Sequence, residues 1–413
     1  MPPAMAALAP QLDPPSAHAP RPPLRYPYGR QSLDAHDVAA VVAALTDELL
    51  TCGPQVAQFE DDLAAYLGAA HVAVCSSGTA ALHLAYLGVG LEPGDEIITS
   101  PITFSATASA AYQAGLGVRF ADVDPVTGNL DPASIEPLIG PRTRAIVPVH
   151  LAGQPCDLAE LAAIADRHGL LLIEDACHAL GASYRDRRIG AAGRSDAVVL
   201  SFHPVKHITT GEGGAVIVRD PAHLRRIQRL RHHGIERDPA LMSVPSPGPW
   251  YHEVVEQGFN YRLPDVLCAL GRSQLARLPQ FLAARRAIAD AYRVELAVHF
   301  DDDAVRAPLA LADREHAYHL MAVAIDFARL GVDRGALMRA LAARGVGSQV
   351  HYIPLPDQPF HRDRPGAEPP RARPGAATYY QRTLSLPMYP DLTPADVRVI
   401  VATLATTLAE LRS

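Results

Sequence analysis

The sequence predicts an α/β protein: a large, mainly parallel sheet covered by helices, followed by a smaller α+β domain. Three observations carry this. Short apolar runs recur through the first two thirds of the chain, and helical segments alternate with them. After residue 265 the alternation gives way to one long helical stretch and then to a separate strand–helix pattern. Runs that are apolar at nearly every position suit strands covered on both faces, and alternation with helices suits parallel pairing. A chain of 413 residues also exceeds what one core usually holds, so two domains are expected.

Residues 1–24 are rich in Pro and Ala and read as a disordered tail. Prolines interrupt the apolar runs there and no basic stretch precedes them, which does not fit a signal peptide. The large domain is expected over residues 25–268. Its strands are HVAVCSS (71–77), DEIITSP (95–101), VRFADVD (118–124), RAIVPVHL (144–151), LLLIEDA (170–176), AVVLSF (197–202) and AVIVRD (215–220). TAALHLAYLGVG (79–90) and DLAELAAIADRHG (157–169) read as helices between them. Residues 221–235 read as a helix with one basic face, and ERDPALMSVPSPGPW (236–250) as a loop, because Pro and Ser crowd it. Helical periodicity resumes over 265–297. The small domain, 269–413, is expected to hold a strand at AYHLMAVAIDF, a helix at RGALMRALAARG, a strand at GSQVHYIPL and a last helix from about Thr393.

Composition narrows the function classes. Hydrophobic residues make up 48% and charged residues 20%, as in an ordinary soluble protein. The net charge of −7 with no basic run argues against a nucleic-acid partner. No apolar stretch is long and clean enough to span a bilayer. Cys52, Cys75, Cys156, Cys177 and Cys268 are scattered without paired spacing, which fits free thiols in a reducing, cytoplasmic setting. Cys156, Cys177 and His178 lack metal-ligand spacing, so no metal is expected.

Three features carry chemistry. A buried strand ends in Glu174-Asp175, and ligands of open α/β sheets sit at strand carboxyl ends; the same Asp175 could simply cap the helix that follows. SSGTAALHLA (76–85) opens a helix with small residues, leaving backbone N–H groups free for an anion. It lacks the GxxxxGK[ST] of a nucleotide loop, and GVGLEPG (88–94) follows a helical segment with the wrong spacing for a dinucleotide fingerprint. The third feature is SFHPVKHITTGEGGAVIV (201–218), where Lys206 stands among apolar, hydroxyl and glycine residues. An anion cradle, a strand-end aspartate and an enclosed lysine are together the three groups that pyridoxal phosphate requires. Desolvation would favour the neutral, nucleophilic amine of Lys206.

The ordered segments SSGTAALHLA, ITSPITFSATASAA, FADVDPVTGNLDP, PVHLAGQPCDL, IEDACHALGA, SFHPVKHITTGEGGAV, GFNYRLPDVLCALG, QVHYIPL and LSLPMYP resemble the sugar aminotransferases of the DegT/DnrJ/EryC1/StrS family, from about Pro27 to the C-terminus. The resemblance implies fold type I, the architecture of aspartate aminotransferase. It implies that Lys206 forms the imine and shuttles the proton, and that Asp175 pairs with the pyridine nitrogen. His178 is expected by the ring oxygen, and Gly78, Thr79 and Ser201 at the phosphate. Phe104 is expected to stack on the ring. Asn260 is expected to reach the phosphate from the other subunit of a homodimer with shared sites. His203, His351 and Tyr352 are candidates for the substrate pocket, with His351 equally readable as a strand histidine, and His207 is expected behind the site or at the surface.

Relatives of this family that dehydrate sugars carry histidine at the lysine position, so Lys206 favours transamination. PITF, VHLAGQPCD and QVHYIP are most similar to the branch that makes UDP-4-amino-4,6-dideoxy-N-acetyl-β-L-altrosamine in pseudaminic acid biosynthesis. This implies L-glutamate as donor and a UDP-linked 4-keto sugar as acceptor. An aminotransferase for another keto sugar, such as a dTDP-linked one, stays open, as does a non-catalytic binding protein on the same fold.

Overall fold

The computed structural model describes residues 24–191, 193–300, 303–363 and 372–412. All but the last residue of the expected 1–24 tail lies outside them. The large sheet has seven strands: β1 (His71–Cys75), β2 (Glu96–Thr99), β3 (Gly117–Phe120), β4 (Thr143–Val147), β5 (Leu171–Asp175), β6 (Ala197–Ser201) and β7 (Gly214–Val218). Their order is β1-β7-β6-β5-β4-β2-β3. Pairing is parallel from β6 to β3, while β7 runs antiparallel to both neighbours. In β6, Ala197 and Val199 enter one core cluster and Val198 and Leu200 another, so successive side chains serve opposite faces of a sheet covered on both sides.

Helices α1 (Ala35–Leu45), α2 (Pro54–Leu67), α3 (Gly78–Gly88), α4 (Ala106–Gln113), α5 (Leu158–His168) and α6 (Pro221–Leu230) surround this sheet. The basic helix thus ends at Leu230, and the Pro-rich stretch after it is a loop inside a short hairpin, Ile235–Glu236 with Glu253–Val254. Helix α1 is docked through Asp37, whose carboxylate accepts from Ser273, Gln274 and Arg277. Its other face presents Val38, Val42 and Leu45 outward, each more than half exposed.

Helix α7 (Asp265–His299) is 35 residues long and belongs to two cores. Cys268, Leu275, Leu278, Phe281 and Leu282 pack into the large-domain core. Ile288, Ala289, Tyr292 and Leu296 pack into the other, with helices α8 (Arg334–Ala343) and α9 (Pro394–Arg412). That second core covers a three-stranded antiparallel sheet, β8 (Val305–Arg306), β9 (Met321–Ile325) and β10 (Thr383–Leu386), in sequence order. Tyr26 from the start of the described chain is also built into it.

The expected strand at GSQVHYIPL is not formed. Gln349 bridges Ser385 alone, and the chain then leaves the sheet edge toward a cleft before Pro354, which has no N–H for a ladder. β10 lies between β9 and Gln349, so this segment meets the sheet only at its outer edge; the sequence reading missed β10 because LSLP is short and ends in proline.

Candidate active site

The carboxyl ends of β1, β5 and β6 open onto one cleft of about 920 Å³. Six of the expected residues that line it, Gly78, Thr79, Phe104, Asp175, Ser201 and Lys206, come from four separate segments. His203, His351 and Tyr352 line it as well.

Lys206 sits just past the end of β6. Pro204 occupies the second position of a turn that Lys206 N–H closes onto the His203 carbonyl (2.9 Å). Braces behind it fix the loop: Thr210 N–H and Thr209 Oγ1 both donate to the Phe202 carbonyl, at 3.0 and 3.1 Å. The lysine is half-buried, and its Nζ lies 3.5 Å from His319 Nε2. Desolvation holds its pKa below the ordinary lysine range, against the pull of the neighbouring Cys177 and Asp175 side chains.

Asp175 ends β5 and is 5% exposed. Its Oδ1 accepts the Cys177 N–H at 3.2 Å, which holds a turn; the helix that Asp175 could have capped is not formed, because β5 runs through turns to Ser183–Tyr184. Its Oδ2 accepts from Thr107 Oγ1 at 2.7 Å, and Thr107 is in turn 2.9 Å from Thr103 Oγ1. The carboxylate thus braces a turn and is held at the cleft wall. Its neighbour Glu174 points to the opposite face of the strand and pairs with His150 at 2.8 Å.

The cradle is the start of α3. Ser77 caps it, accepting from Ala80 N–H at 3.1 Å, while the first N–H groups of a helix have no partner inside it. Close approach is built in with glycines. A Cβ on Gly78 would lie 2.9 Å from Ser201 Cβ, and one on Gly214 would lie 2.5 Å from the Ser77 carbonyl. Ser201 Oγ lies beside this helix start and takes the His203 N–H at 3.4 Å.

Further histidines stand at and behind the cleft wall; His351 lines it, while His178 and His207 lie behind the lining residues. His178 Nε2 is 3.4 Å from the Tyr352 hydroxyl, and its buried Nδ1 has no protein partner. Burial, then the charge of Lys206, push its pKa well below the usual histidine range. His207 is buried rather than at the surface, and its Nε2 donates to the Ala317 carbonyl at 3.1 Å. His351 lines the cleft and is also a satisfied histidine, with Nδ1 2.8 Å from Ser385 Oγ. Phe104 is 59% exposed at the mouth. Asn260 is exposed and does not line the cleft of its own chain; it bridges His232, and its neighbour Tyr261 accepts the Ser76 N–H at 2.8 Å beside the cradle.

The sequence reading did not single out Thr107 or His319. Thr107 lies in the quoted ITSPITFSATASAA, where its hydroxyl is one of six. His319 meets Lys206 across a separation of 113 residues, which no local pattern reveals.

An amine, a strand-end carboxylate and a helix-start cradle on this sheet define a pyridoxal-phosphate-dependent aminotransferase of fold type I. The chain matches the DegT/DnrJ/EryC1/StrS aminotransferase family over residues 31–405 and belongs to it. It is 38% identical to the spore coat polysaccharide biosynthesis protein SpsC of Bacillus subtilis (strain 168), over 91% of this chain and 95% of that one. Among solved structures, it is similar to Helicobacter pylori PseC, an aminotransferase involved in the biosynthesis of pseudoaminic acid. Identity there is 30%, the TM-score is 0.85, and 93% and 99% of the two chains are covered. The aminotransferase TlmJ from Streptoalloteichus hindustanus is similar at 31% identity and TM-score 0.84, covering 94% and 100%.

The residues present fit pyridoxal phosphate. The glycine-lined helix start leaves room and N–H donors for the phosphate, and the buried, unpartnered Nδ1 of His178 awaits a polar partner. Among the described residues no group of His, Cys, Asp or Glu side chains could hold a metal ion, and no helix is long and apolar enough to cross a membrane.

Proposed function

We propose that this chain transfers the amino group of L-glutamate to C4 of a UDP-linked 4-keto-6-deoxy-N-acetylhexosamine, giving UDP-4-amino-4,6-dideoxy-N-acetyl-β-L-altrosamine. The observation that carries the reading is the likeness to PseC along almost the whole chain, with Lys206 at the cleft. When bound, the cofactor supplies a conjugated ring that takes up the electron pair released at the donor's Cα. Lys206 would hold it covalently at rest, and its amine, when free, would take the Cα proton and keep it within reach of the site. Asp175, fixed by Thr107, would hold the ring nitrogen's proton. Gly78, Thr79 and Ser201 would hold the phosphate, His178 would serve the ring oxygen, and Phe104 would cover the ring. His203, His351 and Tyr352 face the sugar.

The working unit of this proposal is a homodimer. The outward stripe of Val38, Val42 and Leu45, continued by exposed Leu33 and Leu49, supports a partner surface. So does Asn260, which stands beside the cradle yet outside its own cleft, and in this reading reaches the partner's phosphate. Five unpaired cysteines, three of them buried, support a reducing, cytoplasmic setting.

The relative in spore coat polysaccharide biosynthesis, at 38% identity, supports a second reading, in which the acceptor is another nucleotide-linked keto sugar. A panel of keto sugars with glutamate, read by product mass, separates the two. The first reading requires the 4-amino product from the UDP-linked substrate. A wide preference in kcat/KM for a dTDP-4-keto-6-deoxyhexose would establish the second.

A further inference from the structure

His319 has no role in the chemistry described so far, yet it makes the contact of Lys206 with another side chain in the cleft. It is 4% exposed and its Nε2 lies 3.5 Å from Lys206 Nζ. The residue reaches there from the small-domain side, just before β9, and its backbone is held from several directions. Arg285, fully buried on α7, donates through Nη1 to the carbonyls of Tyr318 (3.0 Å), His319 (3.4 Å) and Met388 (3.3 Å). Ala317 N–H and Leu320 N–H donate to the carbonyls of Gly153 and Ala152, at 2.9 and 3.3 Å. Gly153 is there because of closeness: a Cβ on it would meet the Tyr318 and His319 nitrogens at 2.9 and 3.0 Å. Tyr318 takes a positive φ of 49° within the same turn. A residue pinned this firmly does not swing away from the lysine.

The surroundings fix its charge. The groups facing His319 are Lys206, the His178 ring at 4.2 Å and the His207 ring at 5.8 Å, with the Arg285 guanidinium behind. None of these is an acid. Burial, then these neighbours, hold the imidazole neutral, well below its ordinary range. A neutral ring facing an amine that donates must offer the lone pair of Nε2, which puts its proton on Nδ1.

We propose that His319 is a positioning residue for Lys206: Nε2 accepts one N–H of the lysine and turns the remaining lone pair toward the cleft. When Nζ takes up a proton the same contact becomes a charge-assisted hydrogen bond, so His319 also stabilises the protonated lysine. It acts through Lys206 and touches no reacting atom. This rests on reading Lys206 as the reacting amine and is independent of which sugar is the acceptor.

The test uses the full chain freed of cofactor, with acetic anhydride as the amine probe and mass spectrometry of the Lys206 peptide as the readout. The pH dependence of labelling gives the Lys206 pKa. Asp175 and Cys177 from the end of β5 and His351 and Tyr352 line the same cleft, His178 and His207 stand close to Lys206 behind it, and all are unchanged in each variant. Removing the acceptor in His319→Leu should lower the Lys206 pKa by about one unit, the worth of one hydrogen bond to a charged group. His319→Gln keeps an acceptor and should recover most of that shift. In the loaded enzyme, His319→Leu should lower kcat about tenfold with little change in KM, and should enlarge the isotope effect with Cα-deuterated glutamate. An unchanged Lys206 pKa in His319→Leu overturns the proposal. So does a His319→Gln variant that labels like His319→Leu; if the leucine variant does not fold, a labelling curve of His319→Gln shifted down by a full unit has the same force. Absence of any pH-dependent labelling at Lys206 in the wild type would instead count against the reading of the lysine itself.

Discussion

Strand β5 has a histidine region on each side, and the two are built differently. On one side His150 is fully used: Nε2 meets Glu174 at 2.8 Å and Nδ1 accepts the Cys156 N–H at 3.0 Å, while Ser195 donates to the other oxygen of Glu174. On the other side His178, His207 and His319 surround Lys206, and each leaves a buried Nδ1 without a partner. Buried polar groups are normally satisfied, because an unmade hydrogen bond costs about 1–3 kcal/mol. The satisfied side is scaffold. The other side surrounds the lysine at the cleft.

The comparison can be broken by substitution. Lys206→Ala should leave the unfolding curve close to wild type and bring turnover to background, and borohydride should fix the cofactor on Lys206 in the wild type alone. Lys206 is the only lysine of the chain, so failure of borohydride to fix the cofactor covalently in the wild type would remove Lys206 from its place. On the scaffold side, Glu174→Ala strips His150 and Ser195 of their acceptor; the expected loss is about 3 kcal/mol in urea unfolding, with activity per folded molecule preserved. Asp175→Asn, one residue along, should do the reverse: turnover falls about 10²-fold with little change in stability, as when a preorganised electrostatic contact is lost. A near-normal rate in that variant would leave Asp175 with only its turn contact to Cys177. Thr107→Val removes only the hydroxyl that donates to Asp175 and should cost about tenfold in turnover.

The smallest effect is read from pH. Burial lowers His316 to about 3 and His351 to about 4, against about 6.5 in the unfolded chain. Below pH 6.5 the unfolded state takes up protons that the folded state refuses. Stability is therefore full above that pH and declines as pH falls toward 4. Thermal midpoints across this range should fall steadily, and His316→Asn should flatten the decline. A flat wild-type profile would mean that these rings titrate normally in the folded protein.

The apolar strands of the large sheet were legible because burial on both faces leaves little room for polar residues. Asp175 and Lys206 were legible because each breaks such a run at a strand end. The edge of the small sheet was not: QVHYIP looks like a strand, but Pro354 and the demands of the cleft carry it away after the one bridge of Gln349 to Ser385, and Thr383–Leu386 is left next to that edge. His319 was hidden for a different reason. A single histidine before a strand reads as core filler, and only the fold brings it to a lysine 113 positions earlier. Thr107 was visible as a hydroxyl, but its acceptor is 68 residues away.

Helix α7 has a mechanical consequence. At 1.5 Å per residue its 35 residues form a rod about 52 Å long, and both cores use it as a wall. Neither core can melt without stripping one end of a helix that the other needs. Although the sequence reads as two domains, heat should take the chain apart in a single cooperative step. Arg285, roughly midway along the rod with its three carbonyls, is the rivet whose loss would let the two halves come apart separately.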